Sequence, residues 1–467
     1  MQLNWNAESL KTATGGRWQG ALRSDIGGFS IDTRSLKAGD VFIALKTDQR
    51  DGHAYLQQAK ANGAAAAIVH HAESDCDLPQ LIVDDTFAAL NRAAAWQRAR
   101  FTGRVIGVTG SSGKTGTKDL VRLLLGIEQT HATQGNFNNH LGVPLSILMT
   151  AEDRWQHSVL EVGMNQPGEI AALTRLVQPQ ACVVTSIGPA HLEGVGSLEA
   201  VAREKAMLCQ QAGADAHCFI AAECLSYGAF QDLRARVTVI QAGPPGSNEC
   251  RLPAHYDLLN YTTTQAPEAG LTLWWKNAPA SGHFFSFSAV SPGVRANAAL
   301  ALAVARAEGV DMETMAHRLN QWQPAPLRGQ QIREAGRHWY VDCYNANPAS
   351  MLDALAGFDQ RFSDRPRLFI VGGMRELGVQ SESWHRRVGA AIPARDSDRV
   401  VLIGLEADWM REGLEAAGRC PAELSLLDEP LAARDCIESF QGDVFIKGSR
   451  AYRLERLVPS DERGLAC

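Results

Sequence analysis

The pattern of hydrophobic and polar positions first predicts a small α/β unit at the start of the chain. Short apolar runs typical of buried strands alternate there with one helix-like segment, the runs lying at 41–45, 66–69 and 81–83 and the helix at 55–62. Apolar residues at helical spacing then predict a longer helix from Phe87 to about Ala99. The first domain is therefore expected to end near Asp84.

The middle of the chain shows the same alternation over a longer stretch. Buried-strand patterns at 104–109, 158–161 and 181–185 are separated by helical segments, including one at 120–125. This order predicts a doubly wound, mainly parallel sheet. Two hairpin-like segments at 271–274 and 284–287 indicate an antiparallel flank, and the proline-containing segment 323–328 is the expected second linker.

Beyond this linker, further strand patterns predict a third α/β domain. They lie at 339–341, 368–371, 400–403 and 444–446. The predicted architecture is thus three α/β domains, over residues 1–84, 85–324 and 325–467. A chain of 467 residues is too long for one hydrophobic core, which agrees with this division.

Composition narrows the class of protein. A net charge of −6 argues against a nucleic-acid binder, and no apolar run is long enough to span a membrane. The N-terminus lacks the layout of a secretory signal, and the ten cysteines contain no C-x-x-C pair. We therefore expect a cytoplasmic protein with reduced thiols and without a zinc site.

A glycine-rich loop follows the first strand of the middle domain, over Thr109-Gly110-Ser111-Ser112-Gly113-Lys114-Thr115. In such loops, backbone N–H groups and a helix N-terminus surround phosphates, the lysine neutralises charge, and the hydroxyl reaches Mg²⁺. The general motif has glycine where this chain has Val108, so the loop is a shortened variant. The alternative is an ordinary strand–helix turn that contains Gly-Lys-Thr.

Three further residues carry candidate chemistry. Glu161 ends an apolar strand, as a second acid beside a phosphate loop does, although a surface acid is an alternative. His191 follows another strand and could be a structural histidine. Lys205 could lie on a solvated helix face.

The shortened loop resembles that of the Mur ligases, ATP-dependent enzymes that build the peptide of the bacterial cell-wall precursor. Other segments resemble the family in the same order along nearly the whole chain; they include 32–34 (DTR), 160–163 (LEVG), 190–193 (AHLE), 342–351 (DCYNANPASM), 372–378 (GGMRELG) and 447–450 (KGSR). The resemblance implies a UDP-sugar-binding first domain, a central P-loop ATPase-like domain and a Rossmann-like third domain that binds the amino acid or dipeptide.

The resemblance also assigns residues to roles. It implies catalytic residues Lys114, Glu161, His191 and Lys205. It implies two Mg²⁺ ions held by Thr115, Glu161, His191 and Lys205, with Lys205 carbamylated. ATP would contact the loop residues 109–115 together with Asn297, Arg328 and Asp342. The other substrates would contact Thr33, Arg34, Asn138, Asn139, Tyr344, Asn345 and Asn347.

The run at 342–351 is most similar to the family member that adds D-alanyl-D-alanine. The resemblance thus implies UDP-N-acetylmuramoyl-tripeptide and D-alanyl-D-alanine as substrates, joined through an acyl phosphate in peptidoglycan synthesis by a monomer. Three departures from the family pattern stand at Ala206-Met207, Gly293–Ala296 and Gly373. The alternatives are another amide ligase of the superfamily, such as a folylpolyglutamate-type enzyme, and a non-catalytic nucleotide-binding relative.

Overall fold

A computed structural model describes most of the chain, and its strands form three sheets of five, nine and six strands. The described residues are 3–22, 24–47, 49–151, 153–247, 252–264, 269–275, 280–288, 291–334 and 336–459. The sheets are mostly parallel and carry helices between their strands, so the predicted three-domain α/β class is confirmed.

The first sheet has the strand order β1-β5-β4-β3-β2, in which only β1 runs antiparallel to its neighbour. Its elements are α1 (Ala7–Thr14), β1 (Arg17–Gln19), β2 (Gly28–Ser30), β3 (Asp40–Ile43), α2 (Leu56–Ala61), β4 (Ala66–Val69) and β5 (Gln80–Ile82). The three predicted strands correspond to β3, β4 and β5. The predicted helix is α2, preceded by a 3-10 turn at Gly52–Tyr55.

The second sheet has the order β14-β13-β12-β11-β10-β9-β6-β8-β7. Its strands and helices are α3 (Thr86–Arg100), β6 (Arg104–Thr109), α4 (Lys114–Leu125), β7 (Thr130–Ala132), α5 (Gly142–Leu148), β8 (His157–Glu161), α6 (Glu169–Val177), β9 (Ala181–Val184), α7 (Leu192–Val195), α8 (Leu198–Gln210), β10 (His217–Ala221), β11 (Arg236–Ala242), β12 (Tyr256–Thr264), β13 (Gly270–Trp274), β14 (His283–Ser286), α9 (Pro292–Ala307) and α10 (Met312–Leu319). Strands β12, β13 and β14 pair antiparallel, which confirms the predicted flank.

The third sheet has the order β15-β16-β20-β17-β18-β19, parallel except for the β15–β16 pair. Its elements are β15 (Gln330–Glu334), β16 (Arg337–Val341), α11 (Pro348–Arg361), β17 (Arg367–Gly372), α12 (Ser381–Ala391), β18 (Arg399–Ile403), α13 (Ala407–Ala416), β19 (Glu423–Leu427), α14 (Arg434–Glu438) and β20 (Asp443–Lys447). The four predicted strands are present, and β15 and β19 were not predicted.

The first two sheets share one hydrophobic core. Helix α3 lies against α1 on one side and against α5 and α6 on the other, and the same cluster contains Trp5, Ile43, Leu90 and Leu160. Three buried thiols from the central domain, Cys182, Cys209 and Cys218, also belong to it and lie within 4.8 Å of one another. These three cysteines are therefore close together in the fold although they are separated along the sequence.

The third domain has its own core, in which Phe358 packs against Phe369 and Phe445. The boundaries near residues 84 and 324 stay predictions. Within the described residues, no helix is long and apolar enough to cross a membrane.

Candidate active site

The predicted phosphate loop joins strand β6 to helix α4. Gly110 and Gly113 both have positive φ, +155° and +82°, a region that favours glycine. An added Cβ at Gly110 would overlap the Thr185 hydroxyl, and one at Gly113 would lie 2.7 Å from the Asn297 amide. Both glycines are therefore required by close approach as well as by backbone conformation.

Ser186, just beyond the end of strand β9, anchors the loop. The Ser111 N–H donates to the Ser186 carbonyl at 3.0 Å, and the Ser112 N–H donates to the Ser186 hydroxyl at 2.9 Å. The Ser111 hydroxyl lies 2.9 Å from both the N–H and the carbonyl of Gly188. The loop is thus fixed against the neighbouring strand before any ligand binds.

The backbone of the loop holds the Lys114 side chain. Its ammonium donates to the Gly110 carbonyl at 2.7 Å. Burial lowers the pKa of Lys114, nearby Arg328 lowers it further, and Glu161 opposes the shift. These couplings place Lys114 between an acid of the central domain and a cation of the third domain.

Glu161, buried at the end of β8, joins two other predicted residues. Its carboxylate accepts from the Thr115 hydroxyl at 2.9 Å and from the Asn138 amide at 2.7 Å. The alternative of an exposed strand-end acid is therefore wrong. The arrangement places a carboxylate and a hydroxyl side by side beside the phosphate loop.

His191 lies at the start of α7 and meets the third domain. It has a left-handed backbone, with φ +57°. Its Nδ1 lies 2.6 Å from Oε2 of Glu376, which belongs to the third domain. His191 is therefore paired with an acid of the third domain at the edge of a cavity, and its role as a metal ligand stays a prediction.

Lys205 is buried in helix α8, with 1% of the residue exposed, so the alternative of a solvated helix face is wrong. Among the described residues, its amine has no hydrogen-bond acceptor and no ion-pair partner. Burial lowers the pKa of Lys205 well below its usual value, and Lys114 adds to the shift. Because a buried charge needs compensation, burial disfavours the ammonium form at this position.

The predicted metal ligands fit a magnesium site if Lys205 carries a carbamate. Thr115 and Glu161 offer the oxygen ligands that Mg²⁺ prefers, and His191 stands beside them at the same cavity. Lys205 is buried nearby but does not line the cavity, and an amine is a poor ligand for a hard cation. A carbamate on that amine would replace it with oxygens and would supply the negative charge that the burial of an ammonium excludes.

The third domain supplies the opposite wall of the site. The Arg328 guanidinium lies 3.8 Å above the Tyr344 ring, a cation–π contact. The Lys447 ammonium donates to the Asp342 carboxylate at 2.5 Å and to the Asn345 carbonyl at 3.4 Å. The bonds from Lys447 hold Asp342, which is predicted to contact ATP, at the end of β16.

Asn347 links the two walls. Its Oδ1 accepts from the Ser350 N–H at 2.9 Å and caps helix α11, while its Nδ2 donates to the Ser111 carbonyl at 3.1 Å. The residue predicted to bind substrate is thus also a helix cap and a contact with the phosphate loop.

Between the walls lies a cavity of about 770 Å³. The predicted residues that line it are Ser111, Ser112, Gly113, Lys114, Thr115, Asn138, Asn139, Glu161, His191, Asn297, Arg328, Asp342, Tyr344, Asn345 and Asn347. Asn139 also caps the turn before α5, accepting from the Gly142 N–H at 2.9 Å. The cavity is large enough for a nucleotide and a second group beside it.

Five predicted residues do not line this cavity. They are Thr109 and Gly110 at the start of the loop, Lys205 on α8, and Thr33 and Arg34 of the first domain. The Thr33 hydroxyl donates to Gln58, and the exposed Arg34 pairs with Asp32 at 2.6 Å. Like the other substrate-binding assignments, the roles of Thr33 and Arg34 stay predictions.

Two of the departures from the family pattern have a structural counterpart. The Gly293 N–H donates at 2.7 Å to Asp353 of the third domain, and a side chain at Gly293 would meet the same carboxylate. A side chain at Gly373 would meet the Glu406 carboxylate, which pairs with Arg375 at 2.9 Å. At both positions the absent side chain makes room for a carboxylate.

Four functional residues received no role from the sequence: Ser186, Asp353, Glu376 and Lys447. Ser186 could have been found, because it follows a parallel strand at the edge where such sheets bind ligands. The others contact residues at least 60 positions away, so no local pattern identifies their partners.

Comparison with known proteins places this fold and site in a family. Three family models match: Mur ligase family, catalytic domain, over residues 25–95; Mur ligase middle domain over 108–260; and Mur ligase, glutamate ligase domain, over 327–450. The chain is 31% identical over 447 residues to UDP-N-acetylmuramoyl-tripeptide–D-alanyl-D-alanine ligase of Escherichia coli, covering 94% of each chain. It is 31% identical to the Bacillus subtilis enzyme of the same name, covering 93% of this chain and 92% of the relative.

Two solved structures are similar in fold to this chain over more than nine tenths of its length. A crystal structure of MurF from Acinetobacter baumannii has a TM-score of 0.81 and 29% identity over 98% of each chain. MurF from Thermotoga maritima, solved with ADP, has a TM-score of 0.71 and 25% identity, covering 92% of this chain and 96% of that one.

The fold and the phosphate loop define a nucleotide-using enzyme whose third domain completes the site. The chain belongs to the Mur ligase family, and is thus an ATP-dependent amide ligase.

Proposed function

We propose that this chain adds D-alanyl-D-alanine to UDP-N-acetylmuramoyl-tripeptide at the expense of ATP, in the synthesis of the peptidoglycan precursor. The observation that carries the proposal is the cavity between the phosphate loop and the 342–351 segment of the third domain. Relatives with this printed activity match the chain nearly end to end. The cavity gives ATP and an acceptor amine a common site.

The reaction has two steps. The free carboxylate of the tripeptide attacks the γ-phosphorus of ATP, so that ADP leaves and an acyl phosphate forms. The amino group of D-alanyl-D-alanine then attacks the acyl carbon, phosphate leaves, and the amine proton passes to solvent. No side chain forms a covalent bond in either step.

The residues of the central wall act on the transferring phosphate. Lys114, on the phosphate loop, stabilises negative charge as it moves from ATP to the acyl oxygen. Asn138 holds the Glu161 carboxylate in place. Arg328 and Asp342 reach the nucleotide from the third domain, whose closure excludes water from the acyl phosphate.

Two magnesium ions would be held by Thr115, Glu161, His191 and a carbamylated Lys205, and would supply charge neutralisation at the phosphates. The carbamate is supported by the burial of Lys205 without an acceptor in the described part of the chain. Burial lowers the pKa of Lys205 and so favours the neutral amine, which is the form that reacts with carbon dioxide. Intact-mass measurement of native protein in bicarbonate should show an added carboxyl group, absent from a Lys205→Met variant.

The first domain is proposed to receive the UDP-sugar, with Thr33 and Arg34 near its phosphates. Arg34 has 83% of its side chain exposed and, in the part of the chain that the structure describes, pairs with the neighbouring Asp32, so its guanidinium is accessible to a diphosphate. An Arg34→Ala variant should raise the KM for the UDP-tripeptide and leave the KM for ATP unchanged.

A phosphate-release assay tests the proposal. With ATP, Mg²⁺ and UDP-N-acetylmuramoyl-tripeptide present, release should require D-alanyl-D-alanine and should yield the pentapeptide by mass spectrometry. Parallel reactions with UDP-N-acetylmuramoyl-dipeptide and diaminopimelate or lysine, or with a folate and glutamate, test other amide ligases. Release with one of these pairs and not with D-alanyl-D-alanine would contradict the proposed substrates.

A further inference from the structure

Two residues with strained backbones meet across the interface between the central and third domains. His191 has φ +57° and Glu376 has φ +67°, both in the left-handed region that non-glycine residues rarely adopt. Glycine would adopt either conformation at lower cost. Strain of this kind is concentrated at functional sites, which directs attention to what the two side chains do.

The contact between them is specific. Nδ1 of His191 lies 2.6 Å from Oε2 of Glu376. The backbone reinforces the pair, because the Glu193 N–H donates to the Glu376 carbonyl at 3.3 Å. The histidine belongs to the central domain and the glutamate to the third, so the pair exists only when the two domains are together.

The chemistry of imidazole gives this pair a consequence. When Nδ1–H donates to a carboxylate, the ring is fixed in the tautomer whose Nε2 carries the lone pair. Histidines that bind metals are usually held in this way by a carboxylate, which also makes the ring a stronger ligand. His191 lines the same cavity as Glu161 and the phosphate loop, so its Nε2 is available to a metal ion bound there.

We propose that Glu376 is a positioning residue that makes metal binding by His191 depend on closure of the third domain. The inference rests on the proposed function, because it assumes a metal ion at His191. Coupling of this kind is reciprocal, so the metal ion would in turn favour the closed arrangement. Phosphoryl transfer would then be delayed until the third domain covers the site.

The test measures metal binding rather than turnover. Mn²⁺ affinity is measured by electron paramagnetic resonance on the full-length protein saturated with a non-hydrolysable ATP analogue. Glu376→Ala should weaken the His191-dependent site at least about 10-fold. Glu376→Gln, which keeps an acceptor without the charge, should have a smaller effect.

The matched control is Glu382→Ala. Glu382 lies in the same domain and has 50% of its side chain exposed, against 57% for Glu376, but its ion-pair partner within the described residues is Arg386 on its own helix. Its replacement should leave Mn²⁺ affinity unchanged. In a His191→Ala background, Glu376→Ala should have no further effect, because the two residues act through one site.

Small-angle scattering provides the second measurement. Adding Mn²⁺ to the nucleotide-bound protein should reduce the radius of gyration in wild type and in Glu382→Ala, and should not do so in Glu376→Ala. If the wild-type protein binds Mn²⁺ through His191 and Glu376→Ala binds it with the same affinity, the inference is overturned. If the wild-type protein shows no Mn²⁺ binding that depends on His191, the metal site of the proposed function is overturned instead.

Discussion

The two walls of the cavity are built in different ways. On the central wall, the phosphate loop is fixed by bonds within one sheet, such as those from Ser111 and Ser112 to Ser186. Among the described residues, the polar side chains of the third-domain wall that bond to the central domain are Asn347, Asp353 and Glu376. The first wall is therefore held by contacts within the central domain, whereas the second depends on contacts between the two domains.

The largest expected effect comes from removing the charge of the central wall. Lys114→Ala should lower kcat for phosphate release on the order of 10³-fold, because the lysine stabilises charge that develops during transfer. Lys60→Ala is the control, since Lys60 is an exposed lysine of the first domain that pairs with Asp77. Undiminished turnover in Lys114→Ala would contradict the assignment of the loop.

Lys205 tests whether the central wall needs a modified lysine. Lys205→Met should reduce turnover about 100-fold, the scale of losing a group that supports a metal site. Its melting temperature should not fall, because the amine has no acceptor among the described residues.

Lys118→Met is the contrasting variant. Lys118 is also buried but donates to the Thr133 carbonyl at 2.8 Å, so its replacement should lower the melting temperature by leaving that carbonyl unpaired. Equal destabilisation of the two variants would show that Lys205 has a structural partner.

Asp353→Ala weakens the third-domain wall. Its carboxylate accepts from the Ser291 hydroxyl and the Gly293 N–H, so it caps α9 of the central domain from outside. Losing a helix cap costs about 1–2 kcal/mol of free energy. Here the cost applies only when the third domain lies against the central domain. The KM for ATP should therefore rise about 10-fold.

Asp311→Ala is the matched control for that experiment. Asp311 caps α10 from within the central domain, accepting from the Thr314 N–H at 2.8 Å. Its replacement should lower thermal stability and leave the KM for ATP unchanged. If Asp353→Ala behaved in the same way, its role would be stability and not closure.

The smallest expected effect separates the two roles of Asn347. Asn347→Ser keeps the cap of α11, because serine caps helices as well as asparagine, but it removes the donor to the Ser111 carbonyl. Loss of one hydrogen bond of about 1 kcal/mol should raise the KM for ATP about 5-fold at unchanged melting temperature.

Asn6→Ser provides the reference for this substitution. Asn6 caps α1 with the same capping box but contacts no other domain through its side chain in the described structure. Neither the KM nor the melting temperature should change. A change in KM caused by Asn6→Ser would show that the assay responds to capping alone.

The same difference between the walls explains what the sequence predicted. Strand β6, the loop and helix α4 are contiguous, so local spacing identified Lys114 and Thr115. Strand β19 alternates polar and apolar residues at an exposed edge, and no buried run marked it. The burial of Lys205 depends on how α8 packs, which its charged neighbours Glu204 and Arg203 concealed.

Contacts between residues far apart in the sequence were beyond local reasoning. Lys447 and Asp342 are 105 residues apart, and Ser291 and Asp353 are 62 apart. A motif can mark one member of such a pair, as it marked Asp342, but not the partner that the fold brings to it. The third-domain wall was therefore predicted residue by residue and not as a set of contacts.

The shared core of the first two sheets has a consequence for how the chain unfolds. Because α3 packs against both, these two domains should lose structure together, while the third, with its own core, can melt separately. Buried thiols would report each event: Cys182, Cys209 and Cys218 for the joint unit and Cys343 for the third domain. Their rates of alkylation under mild denaturant would thus fall into two classes, each timing the opening of one cooperative unit.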